Sequence, residues 1–380
     1  MEFDKSSRFN NDENLVNQNL KHYEGKAGEF DYDPNIWEIE DNRLVFKDGE
    51  AESLPKNLEL PKGCINTSGM FSCCTNLTDI SPLQNWDTSN IKYMMKMFDN
   101  CRKLKDITPL QNWDTSKVEN MSSLFSYCRN LTDITPLQNW DTSNVKNISE
   151  MFYNCQDITY ITSLQDWNTS KMENMSHMFY NCENLTDISP IRNWDTSEVK
   201  DMEGIFSHCE NLANISSLKN WNISKAENMV GMFELCTNLT DISPLQNWDT
   251  SNVKNMSGMF RECKNLTNIS PLQNWNISNV IKINHLFKYC TNLKDISPLK
   301  NWNTSNIETM SSMFEHCTNL TDIEPLQNWN TSNVKIICDM FRECKNLTDI
   351  TPLQNWDTSK VVSSMCMFEG CEKLTNKLNY

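Results

Sequence analysis

No apolar run in these 380 residues approaches the ~20 needed for a membrane-spanning helix. Residues 1–30 are polar and lack the hydrophobic core of a signal peptide, so the chain reads as one made without export. Basic side chains are also scarce. Against 50 Asp and Glu stand 34 Lys and Arg, a formal net charge of -16 at pH 7. Phosphate contacts would be repelled by such a surface, which argues against nucleic acid as a ligand.

What the chain has is a period. Eleven tryptophans, from Trp86 to Trp356, recur every 27 residues without an insertion or deletion. One unit runs from Val253 to Asn279, VKNMSGMFRECKNLTNISPLQNWNISN, and its columns return in every other unit. The spacing of Met256, Met259, Phe260, Cys263 and Leu266 predicts one stripe of a short helix, with Arg261, Glu262 and Lys264 on the opposite side and Ser257 as N-cap. Leu266 and Ile269 then suit a short strand ended by Pro271. Asn276, Ile277 and Ser278 read as a turn before a second extended piece around Val280.

Such a unit does not fold alone. About eight inward residues contribute roughly 1.5–3 kcal/mol each, against about 1–2 kcal/mol of backbone entropy for every residue ordered. Stacking reverses the balance, because each coil covers the apolar faces of two neighbours. The expected fold is a repeat solenoid, a leucine-rich-repeat-like parallel β-solenoid with one short helical turn per coil. Like side chains would stack about 4.8 Å apart in a rod of roughly 50 Å. Three parts follow: a polar tail over residues 1–30, a cap over 31–63, and a continuous solenoid of 11–12 coils over 64–380. The first 63 residues hold 15 acidic and 8 basic side chains and an out-of-register Trp37. Ile36 to Gly49 alternate around a turn at Asp41-Asn42, which suits a hairpin over the first coil. At the far end Lys373, Asn376 and Lys377 would blunt an open edge.

The run from Trp248 to Thr267, WDTSNVKNMSGMFRECKNLT, with its recurring MF-x-x-C, NLTDI and NWDTS, resembles the BspA-type leucine-rich repeat of mycoplasma and other bacterial surface proteins, found also in some protozoan and giant-virus proteins. The resemblance implies a leucine-rich-repeat solenoid with a binding or adhesion role and no enzyme activity. The period, with its proline column at Pro82, Pro109, Pro136 and Pro190, is longer than the family's usual repeat.

Sixteen cysteines would ordinarily suggest chemistry. Twelve form a column from Cys74 to Cys371 on the apolar stripe and read as buried free thiols. Cys64, Cys73, Cys338 and Cys366 lie off it and are the better candidates for reactivity. So many thiols without an export signal point to a reducing compartment. His177 and His285 share one column four coils apart, as do His208 and His316. At about 19 Å the members of a pair cannot share a zinc ion, whose ligands lie within ~2.1 Å. They read as solvent-facing loop residues, and neither metal nor cofactor is implied.

Two features remain as candidate sites. Asp79, Asp106, Asp133, Asp187, Asp241, Asp295, Asp322 and Asp349 form an acidic stripe. It could cap turns or attract a cation or basic partner, whereas catalysis is disfavoured because an active site needs one asymmetric constellation. Tyr127, Tyr153, Tyr160 and Tyr180 gather in adjacent coils, as exposed partner-binding residues would. The sequence therefore predicts an intracellular, non-enzymatic scaffold that binds proteins along an extended acidic surface. An adhesin displayed on the cell surface is the alternative, and a carbohydrate-active enzyme a more distant one.

Overall fold

The computed structural model describes residues 33–40 and 43–375. The tail expected over 1–30, the Asp41-Asn42 turn, and Asn376 and Lys377 lie outside the described residues. The described coils stack into a solenoid whose core is a single apolar cluster running from Trp37 to Leu374.

The coil does not contain the expected helix. Met256, Met259, Phe260, Cys263 and Leu266 are all buried, as their spacing requires, but the backbone beneath them is a run of turns. Alternate amides have different destinations. Those of Met256, Gly258, Phe260 and Glu262 cross to Lys282, Asn284, Leu286 and Lys288 of the next coil at 2.7–3.1 Å, while those of Met259, Arg261 and Cys263 close local turns on the carbonyls three residues back. A helix would spend every amide within itself and leave the neighbouring coils unbonded. The alternation needs left-handed backbone twice per coil, at Gly258 (φ 64°) and Glu262 (φ 59°), and both columns keep it through the stack. For a residue other than glycine this costs about 1–2 kcal/mol, offset by a hydrogen bond to the next coil.

The helical turn lies elsewhere. Ser270–Asn274 forms a 3-10 helix with Pro271 in its first turn, so the proline that was expected to end a strand starts a helix. Eleven such helices, from Ser81–Asn85 to Thr351–Leu353, recur one per coil. Beyond the Ile277 turn the chain rejoins its neighbour: the amide of Ile281 donates to Lys254, and Asn255 forms a parallel bridge with Lys282. Single bridges of this kind run from Asn66 to Ser363 in place of longer strands.

Side chains bind the coils on the other sides. The indole of Trp275 donates to the Leu245 carbonyl at 3.1 Å, the hydroxyl of Thr250 to Asn276 at 3.0 Å, and the thiol of Cys263 to Phe233 at 3.1 Å. Stacked phenylalanines lie 5.5–6.0 Å apart, and stacked tryptophans 6.1–6.5 Å. These spacings exceed the strand-register expectation of about 4.8 Å, and the rings are near-parallel, the stacked tryptophans within 11° of each other. At the amino end β1 (Trp37–Glu40) pairs antiparallel with β2 (Arg43–Phe46). Trp37 and Phe46 close the core against Phe71 at 5.9 and 5.8 Å, and the Phe46 amide donates to Met70 as if it belonged to a coil.

Candidate interaction face

The acidic stripe sits where each coil enters its 3-10 helix. In Asp79, Asp106, Asp133, Asp187, Asp241, Asp295 and Asp322 a carboxylate oxygen accepts the amide two residues on at 2.8 Å. Asp349 does so at 2.9 Å. The hydroxyl and amide of Thr108 hold Asp106 below the usual carboxylate range, and Thr351 does the same for Asp349. A second acidic column, which the sequence reading passed over, caps the next corner: Asp87, Asp114, Asp141, Asp195, Asp249 and Asp357 accept the amides of Ser89, Ser116, Ser143, Ser197, Ser251 and Ser359. Asparagine makes the third corner, with Asn255 accepting from Ser257. The frequent Asn/Asp-x-Ser/Thr triplets are thus the corners of the coil, in the side-chain-capped turn these residues favour.

Three of the four candidate tyrosines come together on the bridged side. Tyr153 and Tyr180 are parallel at 4.5 Å, Tyr127 packs on Tyr153 at 5.3 Å, and His208 packs on Tyr180 at 4.7 Å. The Arg129 guanidinium stands 5.9 Å from the Tyr127 ring centre. These tyrosines are half-buried against one another, not exposed as expected, because the coil spacing matches a ring stack. Burial, with Tyr180 and Tyr127 beside it, pushes the Tyr153 phenol up and keeps it a neutral hydrogen-bonding group. Tyr160 does not join them. It occupies the aspartate column, 71 % exposed.

The histidines are placed differently from the expectation of solvent-facing loops. His177, His208, His285 and His316 are half-buried and sit at φ 54–61° in the two left-handed columns. His177 lies edge-on to Tyr180 at 5.6 Å with Nε2 3.4 Å from Glu203, above Gly204, where a Cβ would fall 2.2 Å from its Nδ1. Four coils on from His208, His316 takes an aromatic partner from its own column instead: Tyr289 stacks on it at 4.3 Å, and the Lys288 ammonium stands 5.5 Å from the Tyr289 ring centre. Burial, then Lys288 and Arg261, pull His285 down to about 4.

Charge fills the rest of this face. In the column of Tyr153 and Tyr180 the later coils carry Glu234, Arg261, Lys288, Glu315, Arg342 and Glu369, with Arg261 2.9 Å from Glu234, Lys288 2.7 Å from Glu315 and Arg342 3.3 Å from Glu369. One flank holds a column in which Lys and Glu alternate from Lys92 to Lys254. Reading each column down its 27-residue period would have exposed both patterns; reading along the unit hid them.

The cysteine column is structural. From Cys101 to Cys371 eleven thiols donate to the phenylalanine carbonyl of the preceding coil at 3.1–3.3 Å. Burial pushes them up, so they stay protonated. Of the off-column thiols Cys73 and Cys366 are exposed, Cys338 lies 2.8 Å from the Ser363 hydroxyl, and Cys64 is buried and pushed up to about 11.

The family described as "Mycoplasma protein of unknown function, DUF285" matches residues 65–188, 157–269, 184–297 and 291–380. The chain belongs to this family. The overlapping DUF285 matches take in every coil that carries the tyrosine stack and the charge columns, while the hairpin lies outside them. The solenoid is accordingly a leucine-rich-repeat protein of the BspA type, as the repeat columns implied. No curated protein matches the sequence. Solved structures similar to this DUF285 chain include a leucine-rich cell surface protein from Faecalibacterium prausnitzii, at 17 % identity over 91 % of this chain and 93 % of that one with a TM-score of 0.47. A leucine-rich repeat protein from Bacteroides ovatus is 16 % identical over 91 % of both chains with a TM-score of 0.43, and an internalin from Listeria monocytogenes 18 % identical over 85 % and 86 % with a TM-score of 0.32.

Proposed function

We propose that this DUF285 protein is a non-enzymatic scaffold that binds a protein partner on its bridged face, with the tyrosine row as the main contact. The observation that carries the reading is the row Tyr127, Tyr153, Tyr180 and His208. Aromatic side chains supply large contact area at low entropic cost and dominate binding energy at interfaces. Here Tyr153 and Tyr180 are also pre-ordered by mutual stacking, so little freedom is left to lose on binding. Tyr289 and His316 offer a second, smaller contact on the same face. The acidic columns have a sufficient role as turn caps, so the contact we infer differs from the extended acidic surface expected of the sequence. Their repeated environment also offers no asymmetric acid–base pair for glycoside hydrolysis.

Display at a cell surface fits the BspA-type family better than the intracellular location suggested by the thiols. The buried, protonated cysteine column would tolerate an oxidising medium, so it carries little information about compartment. Protease applied to intact cells tests this: an uncut protein would return it to the interior. For the contact itself, the partner captured by the wild-type chain should bind Tyr153→Ala/Tyr180→Ala at least tenfold more weakly. Equal affinity would remove the row from the interface.

A further inference from the structure

A tandem array of like coils has a problem that an ordinary domain lacks. The buried columns of Trp, Phe, Cys, Leu and Ile are almost the same in every coil, so the core cannot distinguish the next coil from the one after it. A refolding chain could loop out one whole unit and still stack tryptophan on tryptophan. Only the outward columns can register the difference.

One of them does. On the flank of the bridged face the residues read Lys92, Glu119, Lys146, Glu173, Lys200, Glu227, Lys254. Neighbours pair at 3.1 Å for Glu119 with Lys146, 2.8 Å for Glu173 with Lys200 and 2.6 Å for Glu227 with Lys254. The alternation ends at Lys254: Ile281 interrupts it, and the pair beyond, Glu308 and Lys335 at 2.8 Å, stands in the opposite phase, so the register rule holds for the block from Lys92 to Lys254 alone. Because the alternation has a period of two coils, skipping one coil brings Glu against Glu or Lys against Lys throughout this block. A skip of two would restore opposite charges, but it must loop out twice the chain.

From this we infer that the alternating column is a register device: it makes each coil complementary to its sequence neighbour and repulsive to the next but one, so that the single-coil skip is disfavoured while the stack assembles. The device is independent of any partner. It works through like-charge repulsion between groups about one coil spacing apart, which salt screens.

The test uses the full chain. Glu119→Lys with Lys200→Glu keeps net charge and composition but turns the alternation into blocks, Lys at 92, 119 and 146 and Glu at 173, 200 and 227. In that variant skips over the coils that carry residues 146, 173 and 227 become charge-complementary. After refolding from denaturant at low salt, limited proteolysis with mass spectrometry should find cuts confined to one of those coils at several times the wild-type frequency. The excess should vanish when refolding is done at about 1 M salt, where the screening length falls to about 3 Å. A variant with all seven charges inverted keeps the alternation and should refold as wild type. The inference is overturned if the block variant resists protease as well as wild type at low salt, if it misfolds equally at both salt concentrations, or if the inverted variant shows the same single-coil cuts.

Discussion

Two halves of one column make a natural experiment. In the earlier coils it holds Tyr153 and Tyr180, flanked by Tyr127 and His208; in the later coils it holds Glu234, Arg261, Lys288, Glu315, Arg342 and Glu369. The backbone beneath is the same in both: alternate amides cross to the next coil, and left-handed residues recur at matching positions. Ring stacking and ion pairing are therefore two solutions to one geometric demand, a contact between side chains one coil apart. The fold is indifferent to which is used, which leaves the outward columns open to function.

The comparison fails first if the core is not shared. Phe206 and Phe314 are both fully buried, one beside the tyrosine row and one among the charges, each stacked on both neighbouring phenylalanines. Phe206→Ala and Phe314→Ala should each cost about 3–5 kcal/mol in denaturant unfolding. Values differing by more than about 1 kcal/mol would mean that the outer column alters the packing beneath it.

How far this was legible in the sequence depends on what kind of residue carried the signal. Buried columns were readable, because Trp, Phe, Cys and Leu at a fixed period leave the solenoid as the arrangement that buries them all. The local backbone was not. Met256, Met259, Phe260 and Cys263 have helical spacing, yet the same spacing is met by a chain of turns, and only inter-coil hydrogen bonding decides between them. The clue was present in Gly204, Gly231 and Gly258, three successive units with glycine at a left-handed position, masked because His177 and His285 fill the same column. Pro271 misled for a related reason, since a proline that cannot continue a strand is equally a residue that starts a helix. The tyrosines were found by their break with the repeat, but their mutual stacking needed the coil spacing.

Acid should separate the halves next. The imidazole of His285 is half-buried in the charged half, and its folded value of about 4 lies below the ordinary 6.5. The unfolded chain therefore takes up the proton first as pH falls. The contribution is whole above the unfolded value and is lost between about pH 6.5 and pH 4, the loss reaching on the order of 3 kcal/mol at the acid end. His285→Asn, which tolerates a left-handed backbone, should flatten the fall in unfolding free energy between pH 7 and pH 4.5. An unchanged slope would assign the acid sensitivity to other groups.

Glycines in that column give a smaller contrast. Gly204 (φ 57°) lies under the His177 ring with no room for a Cβ, whereas the nearest atom to a Cβ at Gly258 (φ 64°) is Arg261 Cβ at 3.9 Å. Gly258→Ala should cost about 1–2 kcal/mol from backbone strain alone. Gly204→Ala should cost more and displace His177 from Tyr180, which the imidazole chemical shifts would report. Equal costs with unmoved shifts would show that His177 yields without loss.

The finest test compares the contacts themselves. A double-mutant cycle on Tyr153 and Tyr180 should give a coupling of about 0.5–1.5 kcal/mol, the value of a stacked aromatic pair beyond its buried area. The same cycle on Glu234 and Arg261, partly shielded at 2.9 Å, should give about 0.5–1 kcal/mol. At low salt the two are hard to tell apart, which is why either can occupy the column. In about 1 M salt the ionic coupling should fall toward zero while the aromatic one stays, because screening acts on charge and leaves apolar contact in place. If both persist, Arg261 is held mainly by the packing of its stem over Gly258, and the later coils are less electrostatic than their sequence suggests.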